Sequence, residues 1–147
     1  MTTITRISFA AAAPAVYRAI AALDASAELE PRMRELVRIR ASQINGCAFC
    51  IDMHSLAAQA AGEDDRRIFA LAAWRESPFF DERERAALAL TDALTRLPEG
   101  GVEDGIYDAA AEAFGEQELA HLIGVIIAIN AWNRVAIGTA MQAGAPA

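Results

Sequence analysis

Residues 35–54 read E-L-V-R-I-R-A-S-Q-I-N-G-C-A-F-C-I-D-M-H, and they hold both cysteines of the chain, one of its two histidines and an upstream carboxylate. Asn45-Gly46 is a turn signal between an amphipathic run and a second helical run that opens at Cys47. The stretch therefore predicts a helical hairpin with reactive groups at its bend. At 100° per residue, Cys47, Cys50 and His54 fall within an arc of roughly 60° on one helix face. Residues three apart on a helix have Cα atoms roughly 5 to 5.5 Å apart, inside the range a disulfide spans. Such a pair can open and close without unfolding the helix.

Cys47 falls in the first turn, where unpaired N–H groups and the positive end of the macrodipole favour a thiolate. His54 is four residues beyond Cys50 and so placed to take its proton. A thiol beside a base is an activated nucleophile, and the other thiol is then in place to resolve whatever forms on it. Glu35 lies 11 residues before Gly46 and His54 lies 8 after it. In an antiparallel hairpin these are depths of roughly 16 and 12 Å from the bend, so carboxylate and imidazole are nearly level. A direct or one-water link between them orients the ring.

The hydropathy pattern pulls the other way. Met33, Val37 and Ile44 form the apolar stripe of the first helix, and Glu35 lies nearly opposite, on a face that reads as solvated with Arg32 or Arg38 as its partner. An active Glu35 needs that face covered, and a neighbouring subunit is one means. Two blander readings also fit the cysteines. They can be small buried hydrophobes, or with His54 they can hold zinc, for which a fourth ligand is not evident.

Glu35, then C-A-F-C at 47–50, then His54 resembles the signature of the AhpD-like alkylhydroperoxidases of the carboxymuconolactone decarboxylase family. The similarity runs on through A-A-W-R-E-S-P at 72–78, D-E-R-E-R-A-A-L at 81–88 and I-N-A-W-N-R at 129–134. The resemblance implies an all-α fold of about six to seven helices, with the CxxC opening a central helix, assembled as homotrimers or hexamers. It implies reduction of organic hydroperoxides without a cofactor or metal. In that pattern Cys50 is the peroxidatic thiol, activated by His54 with Glu35 behind it through water, and Cys47 resolves the sulfenate as a disulfide. A dihydrolipoyl-bearing protein is the implied dithiol reductant. Some members carry a histidine immediately before the second cysteine, where this chain has Phe49. Two other functions are compatible with the same residues. One is a disulfide adaptor or redox-sensing protein with little peroxidase activity. The other is lactone decarboxylation by His54 and Glu35, which leaves the cysteines without a role.

The 147 residues suit one domain, 1–147, with a substantial core. With 54% hydrophobic but only 7% aromatic residues, abundant Ala and little β-branched alternation, packed helices are favoured over sheet. A net charge of −7 argues against nucleic-acid and anionic membrane surfaces as partners. Two close cysteines in a chain with no convincing export signal point to redox chemistry in a reducing cytoplasm.

Around the central hairpin, Pro14 opens a helix with Val16, Ile20 and Leu23 on one stripe, and the next helix runs from near Pro31 to Asn45. The helix from about Cys47 to Ala61 ends at Gly62 and carries Phe49, Met53, Leu56 and Ala60 as its expected core side. Asp64 caps a short helix through Trp74, and Asp81 with Glu84 has capping-box spacing for a helix to about Leu97. Pro98-Glu99-Gly100-Gly101 breaks the chain before a helix over Glu103–Phe114. A last one runs from about Glu116 to Met141, apolar nearly all round its middle, so central in a core or an interface. It is interrupted by Gly124 and Asn130 and too short in its apolar part for a membrane span. His121, Asn130, Asn133, Trp74 and Trp132 read as structural residues.

Overall fold

The computed structural model describes residues 5–144, and among them every regular element is a helix. Residues 1–4 and 145–147 lie outside the described residues, so the expectation about an export signal, which begins on them, is not addressed by the structure. The elements are α1 (Phe9–Ala12), α2 (Pro14–Ser26), α3 (Pro31–Asn45), α4 (Ala48–Ala60), α5 (Asp65–Ala70) with a 3-10 turn at Leu71–Ala73, α6 (Glu82–Arg96) and α7 (Asp104–Gly138). Only the one-turn α1 has no counterpart in the sequence reading. Four residues in an Ala stretch carry no periodic signal.

The expected punctuation is in place. Pro31 stands in the first turn of α3, and the Glu30 side chain accepts from Arg32 N–H and Met33 N–H. Asp81 and Glu84 form a full capping box on α6. α7 is bent at Gly115, whose φ of 70° and ψ of 170° suit only glycine. This bend is the predicted boundary between the last two helices, and the second arm ends at Gly138, short of Met141.

α3 is the hub. One side (Met33, Val37) packs with Leu90 of α6 and Leu122 and Ile126 of α7. Another (Leu36, Ile39) packs with Ile68, Leu71, Trp74 and Leu88. Near its C-terminal end, Ala41 joins Cys47, Cys50, Ile129 and Ala136 in a third apolar group. From Glu35 to Ser42 every residue of α3 is buried, so the amphipathic reading is corrected for this stretch. Glu35, only 4% exposed, is covered within the single chain, and no neighbouring subunit is needed for it. Polar residues on such a helix must be paired. Arg40 meets Asp92 of α6 through two bonds of 2.7 and 3.1 Å, and Arg75 and Arg96 close on the same carboxylate.

The outer face of α4 is a second correction. Met53 is 40% exposed, Leu56 60% exposed, and Ala60 is exposed as well, with Phe49 only half-buried. The spacing identified a greasy face correctly, but the described residues leave it largely uncovered. The α2 stripe is likewise open at Val16 and Leu23. By length and composition α7 could cross a membrane, yet it lies against α2, α3 and α6, as a core helix does.

Candidate active site

The hairpin bend is built by backbone hydrogen bonding. Gly46 takes the left-handed conformation (φ 71°, ψ 33°), the Cys47 N–H bonds Ser42 O at 2.9 Å and the Gly46 N–H bonds Gln43 O at 3.3 Å. This Schellman closure ends α3 and turns the chain at once into α4. Cys47 is thus the N-cap of α4, its Sγ accepting from the Cys50 N–H at 3.3 Å. Cys47 and Cys50 are joined as a disulfide with Cα atoms 5.3 Å apart, within the predicted spacing. Both are buried, with Cys50 1% exposed.

One turn on, His54 is buried, and its Nδ1 lies 2.8 Å from Glu35 Oε2. The link is direct, the first of the two arrangements the hairpin geometry allowed, where the resemblance implied a water between them. The other carboxylate oxygen, Oε1, accepts from Arg38 Nη1 at 2.8 Å, and Arg38 Nη2 donates to Asp24 of α2 at 2.6 Å. A chain of paired polar groups therefore runs Asp24–Arg38–Glu35–His54. Burial alone would raise the Glu35 pKa, but the hydrogen bonds and charges of His54 and Arg38 outweigh it and hold the carboxyl below its usual range. An ionised Glu35 fixes the Nδ1–H tautomer, leaving Nε2 as the lone-pair nitrogen. That Nε2 is buried and has no hydrogen-bond partner among the described residues.

Cys50 and His54 open onto one cavity of about 380 Å³. Its wall adds Tyr17 and Asp24 from α2, Arg34 and Arg38 from α3, Phe49 and Met53 from α4, and Trp132 from α7. Cys47 does not line it. All four predicted residues, Glu35, Cys47, Cys50 and His54, are thus brought together, and among the described residues no group of three His, Cys, Asp or Glu side chains is arranged to hold a metal ion. The other wall residues were missed as site residues. Arg38 gave a signal, its three-residue spacing from Glu35, but it pointed to a surface pair, and Phe49 stood out only as the position where some family members carry a histidine.

The model of the carboxymuconolactone decarboxylase family matches residues 8–93, more than half of the chain and all of α3 and α4. The chain belongs to that family. Over 110 residues it is 44% identical to the uncharacterised protein YdfG of Bacillus subtilis, covering 75% of each. Among solved structures, a protein of unknown function from Agrobacterium tumefaciens, likened to the antioxidant defence protein AhpD, superposes with a TM-score of 0.90 at 39% identity. That match covers 97% of this chain and all of the other. This family member is therefore AhpD-like in fold. The debrominase Bmp8 shares the fold at 22% identity, with a TM-score of 0.78 over 92% of this chain and 74% of its own. The family and the fold suggest antioxidant activity or a related activity of this family for the chain.

Proposed function

We propose that the protein is a thiol peroxidase that reduces organic hydroperoxides, with Cys50 as nucleophile. The observation that carries this reading is the single cavity that Cys50 and His54 both line, with His54 Nε2 buried and unpartnered among the described residues and Glu35 fixed behind the ring at 2.8 Å. In the reduced state His54 Nε2 takes the Cys50 proton, and the thiolate attacks the distal oxygen of the hydroperoxide. An S–O bond forms as the O–O bond breaks, and the leaving alkoxide takes the proton from His54 to depart as alcohol. Cys47 then attacks the Cys50 sulfur of the sulfenic acid, water leaves, and the Cys47–Cys50 disulfide forms. Two electrons and two protons from an external dithiol restore the pair. A dihydrolipoyl-bearing protein is our candidate for that dithiol, and a reducing cytoplasm suits such a cycle.

We also propose a homo-oligomer, trimer or hexamer, as the working unit, supported by the uncovered apolar face of α4. A disulfide adaptor is the alternative function, because the same dithiol could cycle against a protein partner alone.

The test is single-turnover consumption of cumene hydroperoxide by the reduced protein, beside Cys50→Ser, with mass analysis of the product. Rapid loss in the wild type only, ending in the Cys47–Cys50 disulfide, is expected. A reduced protein that exchanges with lipoamide yet consumes no hydroperoxide would replace this reading with the adaptor.

A further inference from the structure

Among the described residues, every charged group on the cavity wall is hydrogen-bonded to another, with one exception. Arg38 divides its guanidinium between Glu35 and Asp24, and Glu35 gives its second oxygen to His54. Arg34, one helical turn before Arg38, lines the same cavity with its side chain 34% exposed. Its Nε is buried without a hydrogen-bond partner, and its ion-pair partner, Glu35 Oε1, is 3.6 Å away, beyond hydrogen-bond reach. That oxygen is already taken by Arg38. A guanidinium carries five donors in a planar fork that matches a carboxylate, and a buried donor left unmade is unfavourable. The wall around it is otherwise mostly apolar and aromatic: Tyr17 and Trp132, their rings edge-on at 5.1 Å, with Phe49, Met53 and Met141.

We propose that Arg34 is the anion-binding residue of this cavity and that its ligand is an apolar or aromatic molecule bearing a carboxylate. Taken with the peroxidase reading, on which this second step rests, the substrate is a carboxylate-bearing organic hydroperoxide. The carboxylate pairs with the Arg34 fork while the hydroperoxide faces Cys50 and His54. Because Glu35 contacts both Arg34 and His54, the anion site and the proton relay are adjacent.

The experiment compares cumene hydroperoxide carrying a para-carboxylate with its methyl ester, in the wild type, Arg34→Gln and Arg34→Lys. A charge-assisted contact predicts a ratio of kcat/KM, acid over ester, of about ten- to a hundredfold in the wild type. The ratio should fall to near one in Arg34→Gln and to an intermediate value in Arg34→Lys. A second readout is independent of turnover. 4-Isopropylbenzoate should protect Cys50 of the reduced protein from alkylation, its methyl ester should not, and Arg34→Gln should abolish the protection. Equal kcat/KM for acid and ester in the wild type, or a preference that survives Arg34→Gln, overturns the proposal. So does an Arg34→Gln protein that changes oligomeric state while keeping the preference, since the guanidinium then serves an interface. If neither hydroperoxide is consumed but Arg34-dependent protection by the benzoate persists, the peroxidase reading fails and the anion site stands.

Discussion

At the scale of single residues, the relay assigns His54 two linked tasks, to take the Cys50 proton and to hand it to the leaving alkoxide. His54→Gln keeps a side chain of hydrogen-bonding capacity beside Glu35 but removes the base. Alkylation of reduced Cys50 by iodoacetamide near neutral pH should slow, with its pH profile moved toward alkaline values. Hydroperoxide consumption should fall by about 10² to 10⁴, the range for a positioned general base. An unchanged alkylation profile would remove His54 as the base. These four residues were legible because their signal is local: Cys47, Cys50 and His54 repeat on one helix face, and Glu35 stands level across a single turn. Arg34, Tyr17 and Trp132 were not. Tyr17 and Trp132 reach the cavity from α2 and α7, far along the chain, and an isolated cation or aromatic has no period to mark it.

At the scale of elements, caps and breaks were the most readable features, since Pro, Gly and acidic caps act through the backbone next to them. Gly46 shows how much rests on one such position. A Cβ added there meets no atom within 4 Å, so the penalty of Gly46→Ala is confined to the left-handed backbone. We expect a loss of about 1 to 2 kcal/mol in urea denaturation. A larger loss would mean that the Schellman turn no longer delivers Cys47 to the N-cap of α4. What the period of α4 could not reveal was the fate of its greasy side, because periodicity reports a face and not what lies opposite it. Met53 and Leu56 are exposed in the single chain, so a second copy is expected to cover them. Leu56→Glu should shift the protein toward monomer in sedimentation velocity without altering its helical circular dichroism. An oligomer unaffected by this charge would place the interface elsewhere.

At the scale of the whole molecule, the fold is held by buried carboxylates threaded between arginines as well as by its apolar clusters. Burial pushes the pKa values of Glu35, Glu63 and Asp92 up, but it is outweighed by the hydrogen bonds and charges of His54 and then Arg38 at Glu35, of Arg67 with the Asp64 N–H and Arg32 at Glu63, and of Arg40 and Arg75 at Asp92, so each carboxyl stays below its usual range. A carboxylate with a depressed folded pKa contributes stability that is fully present above its unfolded value of about 4. That stability is lost as pH falls through the folded value. Urea midpoints should therefore hold between pH 7 and 5 and then decline steeply toward pH 3. Asp92 meets three arginines, Arg40, Arg75 and Arg96, and with Arg40 it joins α3 to α6. Asp92→Asn leaves the buried Arg40 charge unpaired, for which about 3 to 5 kcal/mol is expected at pH 7. It also removes one of the groups that must be protonated on acidification. The variant should be weaker than wild type at neutral pH, with a shallower acid decline, so that the two curves approach each other near pH 3. Parallel curves would mean that Asp92 is no better ionised in the fold than in the unfolded chain, and the acid sensitivity would then rest on Glu35 and Glu63.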